Sequence, residues 1–363
     1  MARALRLAER GLYTTHPNPR VGCVLVSDGE VVGEGWHRRA GEPHAERNAL
    51  AAAGGRARGA TAYVTLEPCS HQGRTPACSE GLIEAGVARV VVAMQDPNPL
   101  VSGRGIAALR SAGIGVEVGL MEAAARALNP GFIRRMEQGR PWVRCKLAMS
   151  LDGRTAMASG ESKWITGEAA RLDVQRLRAR SDAIVTGIGT VRADDPAMNV
   201  RIASDGLYGV DSEEYLRQPL RVVLDPLLET DPGARLLRLP GDALVVGSLA
   251  APAARRALLR QARVAVELLP GDEDRVELEP LLELLAGRQI NEVLIEAGPT
   301  LAGAALGAGL IDELVIYAAP HLMGDQARGL FRLPGLVAMS DRIDLTITDL
   351  RMVGRDVRIT ARP

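Results

Sequence analysis

The chain has 363 residues, 47% of them hydrophobic, with 44 basic against 44 acidic side chains. That length suits two domains, and the balanced charge gives no global electrostatic claim on nucleic acid or anionic membrane. The longest uncharged run, Ala297 to Ile311, contains Gly and Pro and is too short to span a bilayer, and four Cys are too few for a disulfide scaffold.

In chain order, residues 2–11 have the pattern of a short amphipathic helix. Residues 21–26 are apolar and β-branched, and Asp28-Gly29 signals a hairpin turn before Val31. Helices are expected at 45–53, 79–85, 106–112 and 122–136, with strands at 62–66, 87–93 and 116–118. Strands separated by helices imply a mostly parallel sheet covered on both faces. Glu137-Gln138-Gly139-Arg140-Pro141 has linker chemistry, so the domains are expected at 1–140 and 141–363. The second half restarts with a strand at 143–149 and a helix at 168–180. Strands follow at 183–187, 220–224, 243–247, 264–269, 293–296 and 314–317, closed by an antiparallel pair at 345–350 and 357–360. Residues 203–218 are polar and acidic and read as a surface insertion.

The chemistry concentrates first in Glu42-Pro43-His44-Ala45-Glu46 and in Glu67-Pro68-Cys69, with Cys78 nine residues after Cys69. His44, Cys69 and Cys78 suit one zinc ion per chain and leave its fourth tetrahedral position open, the mark of a catalytic metal. Zinc makes hydroxide available at neutral pH. Glu46 is not a ligand in this reading; it carries the proton from water to a leaving amine. Alone, His44 reads as a helix-start residue and the two Cys as buried thiols, as Cys23 and Cys145 do in their strand patterns. Together they match the zinc-deaminase signature H-x-E followed by P-C-x-x-C, except that eight residues separate the cysteines instead of two.

Pro17-Asn18-Pro19-Arg20-Val21-Gly22, Gly33-Glu34-Gly35-Trp36-His37, the His44 motif and the long Cys69–Cys78 spacing together resemble the bifunctional riboflavin-biosynthesis deaminase–reductase family, over essentially the whole chain. The resemblance implies an α/β fold: an N-terminal cytidine-deaminase-like three-layer α/β/α domain and a C-terminal dihydrofolate-reductase-like α/β domain. It implies hydrolytic deamination of 2,5-diamino-6-ribosylamino-4(3H)-pyrimidinone 5′-phosphate with release of ammonia, then reduction of the ribosyl group to ribityl. Asn18 is implied to bind the pyrimidine, and His71 and Arg74 the sugar phosphate, for which Arg is suited as a bidentate donor. His37 is a further candidate for the pocket lining.

The second half has no G-x-G-x-x-G after its first strand. Its signals are Lys146 to Arg154, Gly187-Ile188-Gly189-Thr190-Val191, and Glu296-Ala297-Gly298-Pro299-Thr300-Leu301. Glycine lets a phosphate approach backbone N–H groups, and a helix N-terminus offers free ones. The resemblance implies NADPH contacts from Ala148, Trp164, Thr190, Asp194 and the turn Gly298, Pro299, Thr300, Leu301, Ala302, Gly303 and Ala304. It implies substrate contacts from Ser162, Arg178, Met198, Arg201 and Glu296, with Arg178 and Arg201 chemically suited to a ribose phosphate. Lys146 inside an apolar strand needs a partner, and Asp195 is the candidate. Pro226 stands where the family often has a small polar residue.

Two other readings stay open at this stage. One is a zinc deaminase of nucleosides or tRNA, against which the neutral charge and the long Cys spacing argue. The other is a non-enzymatic zinc clasp, which needs a fourth protein ligand; His71 is the nearby candidate. The N-terminus carries Arg3, Arg6, Glu9 and Arg10 and no apolar h-region, so no signal peptide is expected. A cytoplasmic homo-oligomer acting on a small molecule is expected, with no nucleic acid or membrane partner.

Overall fold

The computed structural model describes residues 1–70 and 77–363. The chain forms two compact units, Met1–Arg140 with Ala203–Arg217, and Pro141–Ile202 with Gln218–Pro363. Residues 203–217 therefore interrupt the second unit in sequence but fold with the first, where Arg39 stacks over the Tyr215 ring at 5.5 Å. The expected surface insertion of the second domain is part of the first unit.

The first unit contains α1 (Ala2–Glu9), β1 (Gly22–Ser27), β2 (Glu30–Trp36), α2 (Ala45–Ala53), β3 (Thr61–Val64), α3 (Cys78–Glu84), β4 (Arg89–Val92), α4 (Arg104–Ser111), β5 (Gly115–Val118), α5 (Glu122–Leu128) and α6 (Pro130–Gln138). The five strands lie in the order β2-β1-β3-β4-β5. β1 runs antiparallel to β2 and β3, whereas β3, β4 and β5 are parallel. The expected mostly parallel sheet is thus half antiparallel. Its first strands are joined by Asp28-Gly29, at φ 52° and 80°, a two-residue turn whose backbone matches the twist of a hairpin. A second correction concerns residues 122–136, which form two helices because Pro130 lacks the N–H to continue α5 and instead starts α6.

Two apolar cores cover the faces of this sheet. Cys23, Leu25, Val64, Val90 and Val92 pack with Ala45, Ala49 and Leu82 on one side. Leu5, Leu66, Met94, Phe132 and Ile133 fill the other, giving three layers. The alanines of α2 sit directly on β2 because Gly33 and Gly35 carry no side chain; a β-carbon at either would overlap the α2 backbone. That close seat fixes the helix that begins at His44.

The second unit contains β6 (Trp142–Ser150), β7 (Arg154–Ala156), α7 (Glu168–Arg180), β8 (Ala183–Gly187), α8 (Ile188–Asp194), β9 (Leu220–Leu224), α9 (Arg235–Arg238), β10 (Ala243–Ser248), α10 (Ala253–Gln261), β11 (Ala265–Leu269), α11 (Leu278–Gly287), β12 (Glu292–Ile295), α12 (Pro299–Gly307), β13 (Glu313–Ala319), β14 (Arg328–Gly329), β15 (Thr346–Val353) and β16 (Asp356–Arg362). Nine strands form one sheet in the order β11-β10-β9-β8-β12-β6-β13-β16-β15. β16 runs antiparallel to both β13 and β15, and the other neighbours are parallel. Successive residues enter opposite cores: Val293 and Ile295 one, Leu294 the other. A sheet buried on both faces explains the continuous apolar runs of its strands. Among the described residues, no helix is long and apolar enough to cross a membrane.

Candidate functional site

Each unit carries a site at the ends of its elements. In the first, His44 is the N-cap of α2, and Glu46 is the second residue of that helix. Asn48 donates to the carbonyls of Trp36 (2.9 Å) and Pro43 (3.3 Å), tying down the loop that leads to His44. Cys69 follows β3, and Cys78 opens α3. The Cys69 carbonyl accepts from both the backbone N–H and the hydroxyl of Ser79, each at 3.1 Å. Arg47 donates to the Ala77 carbonyl at 2.9 Å and so links α2 to the start of α3.

These tethers bring three donor atoms together. His44 Nδ1 lies 3.6 Å from Cys69 Sγ and 3.3 Å from Cys78 Sγ. Tetrahedral zinc with ordinary Zn–S and Zn–N distances places such atoms about 3.6 Å apart. The donor set fits zinc in chemistry and in spacing. The electrostatics agree. Hydrogen bonds from the Cys78 thiol and from His44 hold the Cys69 thiol well below its usual range, against the effect of burial. Cys78 is pushed up, first by sharing its proton with Cys69 and then by burial. The two thiols share a proton, and metal binding by such a pair releases protons.

Glu46 is buried, and burial, reinforced by the Cys69 thiolate, raises its carboxyl to about 7. A buried carboxyl beside the donor set is placed to carry a proton between water and a leaving group. His37 stands over His44, ring centroids 5.1 Å apart. Burial, then the neighbouring His44, lowers its pKa to about 4, so it is neutral. Its Nδ1 faces the Pro43 carbonyl at 3.3 Å, which leaves Nε2 to accept from Asn18 Nδ2 at 3.0 Å. His37 therefore orients Asn18, a function its sequence position did not reveal. His71 and Arg74 lie outside the described residues. Cys23 and Cys145 are fully buried thiols, as expected.

In the second unit a cleft of 1560 Å³ opens at the C-terminal ends of β6, β8, β9 and β12. That is where open α/β sheets bind ligands. Its walls include Ala148, Ser162, Trp164, Arg178, Thr190, Asp194, Met198, Arg201, Glu296, Gly298, Pro299, Thr300, Leu301 and Ala304. Ala302 and Gly303 do not line it. Ala302 packs into the core, and Gly303 faces the Arg332 backbone so closely that a β-carbon would overlap it. In a helix, neighbours in sequence point to different faces, so the side chains of the run Gly298–Ala304 do not all face the cleft. Trp164 is 73% exposed on the cleft, not a core residue. Gly189 and Gly298 have open space where a side chain would stand, leaving room for a ligand against their backbone.

The charged residues of the cleft are arranged differently from the expectation. Arg178 Nε and Nη2 grip the two oxygens of Glu296 at 2.6 and 2.8 Å, and Nη1 donates to the Asn199 carbonyl at 3.2 Å. Arg178 is thus committed to Glu296. Burial pushes the Glu296 carboxyl up, but Arg178 and Lys146 outweigh it and hold it below the usual range. Lys146 is lowered by burial, and the carboxylate that counters this is Glu296. Asp195 is not its partner: at φ 40° it accepts the Arg235 backbone N–H at 2.8 Å. Arg201 and Arg235 are exposed on the cleft, and burial together with Arg178 and Arg235 lowers Arg201. Sequence reasoning missed Arg235, which lies in the arginine-rich run Arg235–Arg238 with no motif around it. Pro226 also lines the cleft.

Fold and donor set define a metal-dependent deaminase unit joined to a dihydrofolate-reductase-like unit. Comparison with known proteins agrees. The family model for the cytidine and deoxycytidylate deaminase zinc-binding region matches residues 1–94, and that for the RibD C-terminal domain matches residues 141–359. The chain is 53% identical to the riboflavin biosynthesis protein RibD of Escherichia coli (strain K12), covering 98% of this chain and 96% of that protein. It is 50% identical to the RibD of Haemophilus influenzae, over 100% and 96%. Among solved structures, Acinetobacter baumannii RibD superposes with a TM-score of 0.90 at 47% identity, covering 100% of this chain and 97% of that one. A diaminohydroxyphosphoribosylaminopyrimidine deaminase/5-amino-6-(5-phosphoribosylamino)uracil reductase from Thermotoga maritima gives 0.84 at 32% identity, over 100% and 97%. The chain belongs to the RibD family of bifunctional riboflavin-biosynthesis deaminase–reductases.

Proposed function

We propose that the first unit deaminates 2,5-diamino-6-ribosylamino-4(3H)-pyrimidinone 5′-phosphate and that the second reduces the ribosyl group of the product, giving 5-amino-6-ribitylaminouracil 5′-phosphate. The observation that carries this reading is the convergence of His44 Nδ1, Cys69 Sγ and Cys78 Sγ beside a buried Glu46. Those three residues hold one zinc per chain, which, when bound, activates water at neutral pH. Glu46 takes the water proton and returns it to the departing amine, so that a C–O bond replaces a C–N bond and ammonia leaves. Asn18, oriented by neutral His37, hydrogen-bonds the pyrimidine. His71 and Arg74 bind the phosphate in this step, a role carried by family resemblance alone.

In the second unit, Ala148, Trp164, Thr190, Asp194 and the turn Gly298–Leu301 with Ala304 hold NADPH, which supplies hydride for C1′ of the opened sugar. Glu296, fixed by Arg178, presents a carboxylate to the pyrimidine or ribose hydroxyls. Ser162 and Met198 border the substrate. Arg201, with Arg235 beside it, faces the phosphate; Glu296 attracts Arg201 but spends its hydrogen bonds on Arg178. The enzyme is cytoplasmic and a homo-oligomer. β15 favours the latter, because this edge strand exposes Ile347, Leu350 and Met352, each more than 60% accessible, next to unpaired backbone.

The test is a two-stage assay. The purified chain, given the diaminopyrimidine nucleotide, should release ammonia without NADPH and then consume NADPH in an amount matching the ammonia. NADPH consumption with no prior ammonia release would reverse the order. Release of ammonia from cytidine in preference to the nucleotide would favour a nucleoside deaminase.

A further inference from the structure

Glu67 belongs neither to the donor set nor to the proton path. Its side chain is buried, 3% exposed, two residues before Cys69. Its carboxylate accepts four backbone N–H groups. Oε2 takes Asp96 at 3.2 Å and Gly103 at 2.9 Å; Oε1 takes Gly105 at 2.9 Å and Ile106 at 3.2 Å. A carboxylate has about four acceptor positions, so this one is filled. All four donors come from the loop after β4 and the first turn of α4, far from Glu67 in sequence. The Glu67 backbone N–H is also held, by the Met94 carbonyl at 3.0 Å.

The same segment meets the next peptide. A β-carbon at Gly105 would overlap the Pro68 carbonyl oxygen, so the start of α4 lies directly against the residue before Cys69. On the other side, Ser79 holds the Cys69 carbonyl. Cys69 is therefore clamped from both directions, by α3 after it and by α4 before it.

We propose that Glu67 is a positioning residue for the metal centre. By binding the 96–106 amides it fixes the Glu67–Pro68 peptide, and with it the placement of Cys69 Sγ against His44 Nδ1 and Cys78 Sγ. A ligand held in place before the metal arrives loses less freedom on binding, and groups that orient ligands in this way typically change metal affinity 10–100-fold when removed. The proposal rests on the reading that His44, Cys69 and Cys78 hold zinc.

The experiment follows zinc loss from the full-length, zinc-loaded chain into excess chromogenic chelator, well below the unfolding temperature. Glu67→Gln keeps the shape but turns an NH₂ donor toward N–H donors, and it should speed zinc loss on the order of 10–100-fold. Gly105→Ala keeps the carboxylate but presses α4 off Pro68, and it should act in the same direction. NADPH oxidation with already deaminated nucleotide should be unchanged in both. If Glu67→Gln does not fold, Gly105→Ala alone decides. Unchanged zinc loss in a folded variant with a lowered melting temperature would make Glu67 a purely structural residue and overturn the proposal alone. A wild-type chain that binds no zinc would overturn the donor set and the proposal with it.

Discussion

The two sites are built on different principles. In the first unit a few side chains converge on one point, and each donor atom is held by neighbours from α2, α3 and the loop after β3. In the second, backbone does most of the shaping: four parallel strands end together, and the glycines that follow them leave a cleft of 1560 Å³. A metal centre tolerates almost no loss among its ligands. A broad cleft spreads recognition over many contacts, so single changes there should be milder unless they strand a buried charge.

The sharpest way to break this contrast is at the ligands. Cys69→Ser or Cys78→Ser should abolish both zinc content and ammonia release, measured by metal analysis and an ammonia-coupled assay. Zinc retained at one per chain in either variant would take that Cys out of the centre. Next comes Glu46→Gln, which preserves shape and leaves the ligands intact. Ammonia release should fall about 10²–10⁴-fold with zinc still bound. NADPH oxidation with deaminated nucleotide should continue at a near-normal rate; joint loss of both activities in a folded, zinc-bound variant would point to one shared site.

In the cleft the largest effect should come from Arg178→Met, because it leaves the Glu296 carboxylate buried without its partner. Losing one member of such a pair costs about 3–5 kcal/mol, read as a lowered urea midpoint. A neutral result would mean that Glu296 finds solvent or Lys146 instead. Arg201→Ala should be milder, weakening phosphorylated substrate by about 1.5–3 kcal/mol in the reductase step. The dephosphorylated nucleoside should be bound equally well by both proteins; equal loss for both compounds would remove Arg201 from the phosphate.

The last effect is confined to a pH range and concerns stability in the first unit. Burial raises the Asp96 carboxyl from its usual 3.8 to about 6. Between those values the folded chain holds more protons than the unfolded one, so this group's contribution to stability falls as pH rises from about 4 to about 6. Asp96→Asn should remove that slope and gain up to about 3 kcal/mol above pH 7, with no gain at pH 4, in melts run across the range. A parallel pH profile for the two proteins would refute it.

The contrast between the sites also explains what could be read from sequence. His44, Cys69 and Cys78 are legible because soft donors are scarce and their chemistry is written in their side chains. Glu67 stands in the same motif, but its partners are backbone amides from 96–106, which no residue type announces. Arg178 and Glu296 are 118 positions apart, and only the fold shows that one neutralises the other. The same distance hid Glu296 from Lys146 and left Asp195 as a plausible but wrong partner. The break at Pro130 was legible and was missed; a proline in mid-pattern is the signal for it. The cleft as a whole is hardest to read, since strand ends and glycines recur in turns of every kind.

Residues 203–217 bear on whether the two activities can be separated by cutting the gene. The chain passes between units at 140/141, at 202/203 and again at 217/218. A product ending at residue 140 would lack a segment whose Leu207 and Val210 are 3% and 6% exposed in the intact chain. A product starting at 141 would carry that same apolar segment without the unit it folds with. Fission at the linker therefore yields two impaired halves, whereas a reductase with 203–217 replaced by a short polar loop should express as a soluble unit. The insertion makes this enzyme easier to inherit whole than in parts.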